Sequence, residues 1–291
     1  MNHASLFSGI GGAEVAASMM GWNNLFHCEI QEFPRKVLNY WFPNSISYED
    51  ITKTDFKMWG GKVDVLTGGF PCQPFSLAGR RKGADDDRYL WPQMLRAIRE
   101  IHPTWVVGEN VAGIKTMVES CQVTQMGRTD HLFEENYLYR EESRFTLDRI
   151  CEDLEAEGYS VQPFVIPACA VGAPHRRDRV WIVAYTDSPR QGRRTNKQKP
   201  VTGSSRTPNL GSRRKKRLAA RAGQPRFRQH DGWRNFPTQS PVCRGNDGIP
   251  FDVDNLTISF AKWRQESIKA YGNAWVPQVA YEIFRAIEAQ Y

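Results

Sequence analysis

Two residues of this 291-residue chain combine a reactive side chain with a placement that reactivity would need, Cys72 and Glu109. Cys72 lies in Gly69-Phe70-Pro71-Cys72-Gln73-Pro74-Phe75-Ser76, between two prolines and just past the β-branched run Val63-Asp64-Val65-Leu66. That run is bounded by Gly60-Gly61 and Gly68-Gly69, which predicts a buried strand ending in a sharp loop. In an open α/β sheet the carboxyl end of a strand is where ligands bind. A free cysteine is often only a small buried hydrophobe. Such a residue needs no rigid proline-flanked loop, whereas a nucleophile approaching its substrate at a fixed angle benefits from one. Glu109 stands near the end of a second apolar run, 105–111, where a charge is costly unless it has a partner or a task. A structural ion pair and a grip on substrate would both satisfy it.

These groups need a scaffold, and the pattern supplies one of α/β type. A strand over 4–7 leads through Ser8-Gly9-Ile10-Gly11-Gly12 into a helix over 13–20. Glycines there allow a tight turn and close approach of a ligand. The turn fails the Gly-x-Gly-x-x-Gly dinucleotide fingerprint, because Glu14 holds the third glycine position. A second strand, 24–29, ends in Glu29, 20 residues after Gly9, where a carboxylate can accept hydrogen bonds from ribose hydroxyls. The plainer reading of Glu29 is an acid at the start of a helix over 32–42. Helices are further expected over 89–100, 262–270 and 279–289, and strands over 160–166 and 180–184. The period of Phe145, Leu147, Ile150 and Leu154 predicts a helix over 143–157, stopped by Gly158. The polar stretch 78–88 suits a lid, and 114–140 is irregular. Three predicted strand ends thus bring a glycine turn, a thiol and a carboxylate to one edge of a sheet.

Composition narrows the class. At 33.3 kDa with 40% hydrophobic residues, the chain can build one α/β domain and a smaller lobe. No apolar run reaches membrane length, no charged-then-apolar leader starts at Met1, and Leu6 to Ile10 is too short to be either, so a soluble, cytoplasmic protein is expected. The six cysteines, at 28, 72, 121, 151, 169 and 243, form no Cys-x-x-Cys pair, which points to reduced thiols and no metal site. Between Ser188 and His230 there are 14 lysines and arginines and no acid, against a net charge of +7 for the chain, leaving the remainder at −7. One basic part on an acidic body suits a polyanionic partner, although any single charge there could be merely solvated.

The Gly-Phe-Pro-Cys-Gln-Pro-Phe-Ser run resembles the nucleophile loop of the DNA cytosine-5 methyltransferases. Phe7-Ser8-Gly9-Ile10-Gly11-Gly12 is similar to the turn by which that family holds S-adenosylmethionine, and Glu109-Asn110-Val111 to its Glu-Asn-Val element. His175, Arg177 and Arg179 stand in the places of a Gln-x-Arg-x-Arg element, with His175 departing from it. Gly272-Asn273-Ala274 and Pro277 match the closing Gly-Asn-Ala-x-x-Pro element.

The resemblance covers 4–183 and 263–287. It implies a Rossmann-like S-adenosylmethionine-dependent methyltransferase sheet with helices on both faces, plus a small loop-rich target recognition lobe. The expected division is a catalytic domain over 1–185, a basic lobe over 186–251 and a returning segment over 252–291. Cys72, Glu109, Arg177 and Arg179 would be catalytic. Phe7, Gly9, Ile10, Gly11, Gly12, Glu29, Asp50, Ile51, Gly69, Pro71, Leu90, Asn273 and Ala274 would hold S-adenosylmethionine, with Asp50 on the adenine amino group and Ile51 against the ring. For Asp50 a turn or cap role, and for Leu90 core packing, are the plainer readings. Gln73, Ser76, Arg213, Arg214, Lys215, Lys216 and Arg217 would contact double-stranded DNA.

The implied reaction is methylation at C5 of a flipped cytosine through a Cys72 adduct at C6, as in bacterial restriction-modification or phage enzymes. The expected form is a monomer, with a cognate endonuclease left open. An RNA (tRNA) cytosine-5 methyltransferase and a non-catalytic DNA-binding relative are the alternatives; a nicotinamide oxidoreductase would leave Cys72 without a purpose.

If the basic run meets phosphates, its affinity for DNA must fall steeply with salt. Neutralising Arg213, Arg214, Lys215, Lys216 and Arg217 together should weaken binding to every sequence and reduce the log–log salt slope by roughly one per true phosphate contact. A filter-binding salt titration measures this; an unchanged slope would make the cluster a solvated loop.

Overall fold

Alternate residues of the central strands face two different helical layers, so the sheet is buried on both sides. Leu66, Val106 and Ile182 point into a core with Met94, Ile98, Ile101, Ile150 and Leu154. Their neighbours Val65, Val107 and Trp181 point the other way, onto Ala16, Ala17, Val279, Ala280 and Phe284. Continuous apolar runs are what two-sided burial requires, because in a strand the side chains alternate between faces.

The computed structural model describes residues 1–71, 89–126, 137–186 and 258–290. In chain order these form β1 (Asn2–Leu6), α1 (Gly12–Met19), β2 (Asn23–Cys28), α2 (Glu32–Trp41), β3 (Ile46–Tyr48), β4 (Val65–Gly68), α3 (Trp91–Ile101) and β5 (Trp105–Val111). There follow β6 (Val118–Met126), β7 (Tyr137–Phe145), α4 (Thr146–Ala156), β8 (Ser160–Pro167), β9 (Asp178–Tyr185), α5 (Phe260–Asn273) and α6 (Pro277–Glu288). Seven strands make one sheet in the order β3-β2-β1-β4-β5-β9-β8. The neighbours from β3 to β5 pair in parallel, while β9 lies antiparallel to both β5 and β8. The strand order reverses between β1 and β4, the topological switch point at which open α/β sheets bind ligands.

The expected elements of the sheet form within a few residues of their predicted bounds, and the α/β class holds. Two local expectations do not. The stretch read as irregular contains most of an antiparallel hairpin, β6 with β7, separate from the main sheet. The helix expected from 143 begins at Thr146, because Ser143 to Phe145 pair with Val118 to Ser120. Phe145 stands two residues before Leu147 and five before Ile150, off their helical face, and is an exposed strand end. Gly158, at φ 83°, does end the helical segment. No helix among the described residues is long and apolar enough to cross a membrane.

Two buried histidines tie the sheet internally and to α2. His3 of β1 meets Asn24 Oδ1 at 2.6 Å and Thr67 Oγ1 of β4 at 2.9 Å, and His27 of β2 meets Ser45 Oγ and Asn39 Oδ1. Burial disfavours the imidazolium and lowers both pKa values from the ordinary 6.5 to about 4. Between these values the unfolded chain binds protons that the folded chain does not, so stability held above pH 6.5 is lost as pH falls. For fully buried His3 the loss by pH 4.5 is about 2 kcal/mol. His3→Gln should therefore lose less urea stability between pH 6.5 and 4.5 than the wild type; an equal loss would show that His3 titrates normally in the fold.

Candidate active site

The carboxyl ends of β1, β2, β4 and β5 converge on one edge, and each delivers a group singled out by its sequence. Beyond β1 the chain turns through Phe7 (φ 52°), Gly9 (φ 55°) and Gly11 (φ 93°) before α1 begins. At Gly11 no side chain fits, since a methyl group would lie 2.8 Å from Phe42 and 3.0 Å from Leu38. The turn is braced by Glu29, whose Oε2 accepts from Gly9 N at 2.8 Å while Oε1 accepts from Gln31 N at 2.9 Å. Burial raises the Glu29 pKa, against these backbone donors and the positive charge of Arg35.

Glu14 sits under the same turn and is fully buried. Ser5 Oγ donates to its Oε1, and Oε2 has no hydrogen-bond partner among the described residues. Desolvation lifts its pKa to about 7. Sequence reading took Glu14 only as a break in a glycine pattern; an acid among the small apolar residues of an N-terminal helix was the available signal.

Beyond β3 stand the two residues expected at the adenine. Asp50 Oδ1 accepts from Thr52 N at 2.9 Å and Thr52 Oγ1 at 2.7 Å, and Oδ2 pairs with Lys53 at 3.2 Å, the turn-capping role that was the plainer reading. Ile51 is only 5% exposed and belongs to the core. Ile30, next to Glu29, is 62% exposed.

Glu109 is 8% exposed near the end of β5. Its Oε1 pairs with Arg179 Nε of β9 at 2.8 Å. Burial nevertheless outweighs the pull of Arg179 and Arg177 and raises its pKa to about 7. Next to it, Asn110 Nδ2 donates to the carbonyl of Phe70 at 2.9 Å, tying the end of β5 to the chain leaving β4. Phe70 is held against Trp91, with ring centroids 5.1 Å apart. Pro71 follows; Cys72, Gln73, Ser76 and the expected lid over 78–88 lie outside the described residues, as do Arg213, Arg214, Lys215, Lys216, Arg217 and the basic lobe.

Arg177, at φ 37°, is turned to a different use from Arg179. Its Nη2 donates to the carbonyls of Gly272 at 2.9 Å and Ala274 at 2.6 Å, binding the segment between α5 and α6 to the sheet. Burial and the neighbouring Arg179 charge lower its pKa. That segment carries Asn273, exposed, and Ala274, half-buried, to the turn after β1, where a methyl group on Gly12 would lie 2.8 Å from Trp275. Leu90 caps the start of α3, half-buried, and His175 is exposed on the loop before β9.

Comparison with known proteins adds to this geometry. Residues 1–225 match the C-5 cytosine-specific DNA methylase family. Type II methyltransferase M.PspPI of a Psychrobacter species is 34% identical over 181 residues, 61% of this chain and 38% of that protein. Type II methyltransferase M.HpaII of Haemophilus parainfluenzae is 33% identical over 186 residues, 63% of this chain and 45% of its own length. The chain thus spans less than half the length of these curated relatives. Among solved structures, the Dnmt2 methyltransferase of S. pombe superposes with a TM-score of 0.48 at 19% identity, covering 64% of this chain and 51% of that one.

The buried acid under the turn makes a distinct prediction. A carboxyl whose folded pKa lies above its ordinary 4.5 contributes stability below that value, which is lost as pH rises through about 7. Glu14→Gln removes this loss, so its stability relative to wild type should improve by about 2 kcal/mol between pH 5 and pH 8. Thermal or urea unfolding at the two pH values measures it; a constant difference would mean that Glu14 stays ionised in the fold.

Proposed function

The chain belongs to the C-5 cytosine-specific DNA methylase family, and from that premise we propose that it methylates C5 of a cytosine flipped out of duplex DNA, through a covalent bond from Cys72 to C6. The observation that carries this reading is the Asn110 to Phe70 hydrogen bond, which holds the entry to the Pro71-Cys72 loop beside the buried Glu109. A thiol nucleophile and a carboxyl able to hold a proton near neutral pH are the two groups the chemistry demands.

Family membership brings S-adenosylmethionine as the methyl donor, and the turn after β1 fits it. Each Glu29 oxygen uses one lone pair on a backbone N–H, leaving the other for ribose hydroxyls. Ile30 would lie against the purine, and the segment at Asn273 and Ala274 would close the pocket. S-adenosylmethionine supplies a methyl group made electrophilic by its sulfonium.

Cytosine C5 is too poor a nucleophile to take that methyl unaided. Addition of the Cys72 thiolate to C6 moves the ring electrons onto C5 as an enamine. Glu109 would hold the proton at ring N3 and accept from the exocyclic amine, so that the ring takes up electron density without an unbalanced charge. Arg179 would orient Glu109 for this, as its 2.8 Å ion pair does here. Once C5 is methylated, solvent water takes the C5 proton, the C–H electrons re-form the C5–C6 double bond and expel Cys72 as thiolate, and the N3 proton returns to Glu109, which restores aromaticity. Because C6 is shielded in a duplex, the base must leave the stack. The basic lobe would hold the distorted DNA, with Gln73 and Ser76 beside the vacated position. A catalytic unit over 1–185 completed by 252–291, with the recognition lobe between, follows from this reading; a monomer needs no further group.

Incubation with labelled S-adenosylmethionine and either duplex DNA or tRNA tests the assignment. Label should enter duplex DNA as 5-methylcytosine, and Cys72→Ser should abolish it while leaving cofactor affinity within about threefold, since the cofactor turn lies on another strand. A duplex carrying 5-fluorocytosine should form an adduct that survives denaturation, because fluorine does not leave as a proton does. Label in tRNA alone would move the substrate to RNA, and activity in Cys72→Ser would end the covalent mechanism.

A further inference from the structure

Trp275 occupies a position that none of the roles above assigns. It follows the carbonyls of Gly272 and Ala274 that Arg177 grips. Its own backbone carbonyl and Cβ stand against the glycine turn: a methyl group on Gly12 would lie 2.8 Å from each. The far edge of its indole reaches a different strand end. A methyl group on Gly69, the residue leaving β4 toward Cys72, would lie 2.8 Å from Trp275 Nε1 and 3.6 Å from Glu109 Oε2. The ring is held in this span by Trp181 of β9, edge to face at 4.9 Å and 78°. Trp181 is the register partner of Glu109 across β5 and β9.

Gly12, at the start of α1, and Gly69, just past β4, thus belong to separate elements, and both lack a side chain where Trp275 fills the space. A backbone contact at one end and a rigid ring at the other make a spacer, because an indole has few rotamers and its packing against Trp181 removes most of them. Through this ring the start of α1 is in contact with the Gly69-Phe70 backbone, which Asn110 in turn joins to the Glu109 strand end.

We propose that Trp275 is a positioning residue that couples the cofactor site beside Gly12 to the strand end at Gly69, so that binding of the methyl donor and the position of the Gly69-Phe70 backbone depend on each other. This rests on the methyltransferase reading above. The backbone part of the contact survives any side chain at 275; the ring part does not. The coupling therefore belongs to the pair Gly69 and Trp275, and it can be measured as such.

Four proteins carry the test: the wild type, Gly69→Ala, Trp275→Phe and the double variant. For each, calorimetry gives the affinity for S-adenosylhomocysteine, and single-turnover methyl incorporation into unmethylated phage λ DNA gives the rate. Gly69→Ala should weaken S-adenosylhomocysteine binding about tenfold, because the new methyl displaces the indole and with it the wall of the turn; as Gly69 is itself expected beside the cofactor, recovery in the double variant is what separates this from a lost direct contact. Trp275→Phe alone should cost less than about threefold in affinity but lower the methylation rate about tenfold, a split that general destabilisation would not produce. In the double variant the smaller ring makes room, and the affinity should return to that of Trp275→Phe. Additive effects in the double variant, or unchanged affinity in Gly69→Ala, would overturn the coupling. Should Gly69→Ala fail to fold, the rate-against-affinity split of Trp275→Phe decides alone, and equal losses in both would reject the proposal. A wild type that bound no S-adenosylhomocysteine would instead reject the cofactor reading itself.

Discussion

A carboxylate buried near the end of a strand is the constraint on which this edge of the molecule depends. Glu109 cannot be taken out of water cheaply, and the fold answers by bringing β9 alongside β5 in the antiparallel sense. Only that direction places Arg179, at the start of β9, opposite Val111 and within 2.8 Å of Glu109. The pair leaves the Glu109 pKa raised, so burial has not been fully offset. A carboxyl in that state can hold a proton or give it up near neutral pH, which an ordinary solvated glutamate does poorly.

The same economy governs the other strand ends. Parallel strands deliver their carboxyl ends to one edge, but nothing in a parallel sheet fixes how far each loop beyond the edge extends. Here side chains do that: Glu29 braces the turn after β1, Asn110 ties the chain leaving β4, and Arg177 binds the segment before α6. Two of these side chains act on backbone carbonyls and the third on amides. Such contacts set a loop's position without demanding a particular side chain in return.

The C-terminal segment closes the construction. α6 packs on α1 and buries Val279, Ala280, Phe284 and Ile287 against the face of the sheet formed by Val65, Val107 and Trp181. Burying four such side chains contributes several kcal/mol by area alone. It also anchors Asn273 to Trp275 beside a turn more than 260 residues away in the sequence. A site built from both ends of a chain is complete only when the whole domain has folded.

By itself the sequence determined the alternation of helices and buried strands, the glycine turn, the placing of Cys72 between two prolines and the carboxylate of Glu109. Each is a local signal: apolar runs bounded by glycine, a conformation only some residues adopt, or a charge where apolar residues surround it. The tertiary structure alone decided which groups meet. Arg177 and Arg179 are two residues apart and of one type, yet one pairs with Glu109 and the other grips the carbonyls of Gly272 and Ala274. Ile30 and Ile51 each follow an acid at a strand end, and their sequences do not say that the first is exposed and the second buried. The β6–β7 hairpin carried no clear period, since its pairing is with itself and outside the main sheet. Side-chain direction, burial and pairing between distant segments are set by packing across the sheet, and no local pattern encodes them.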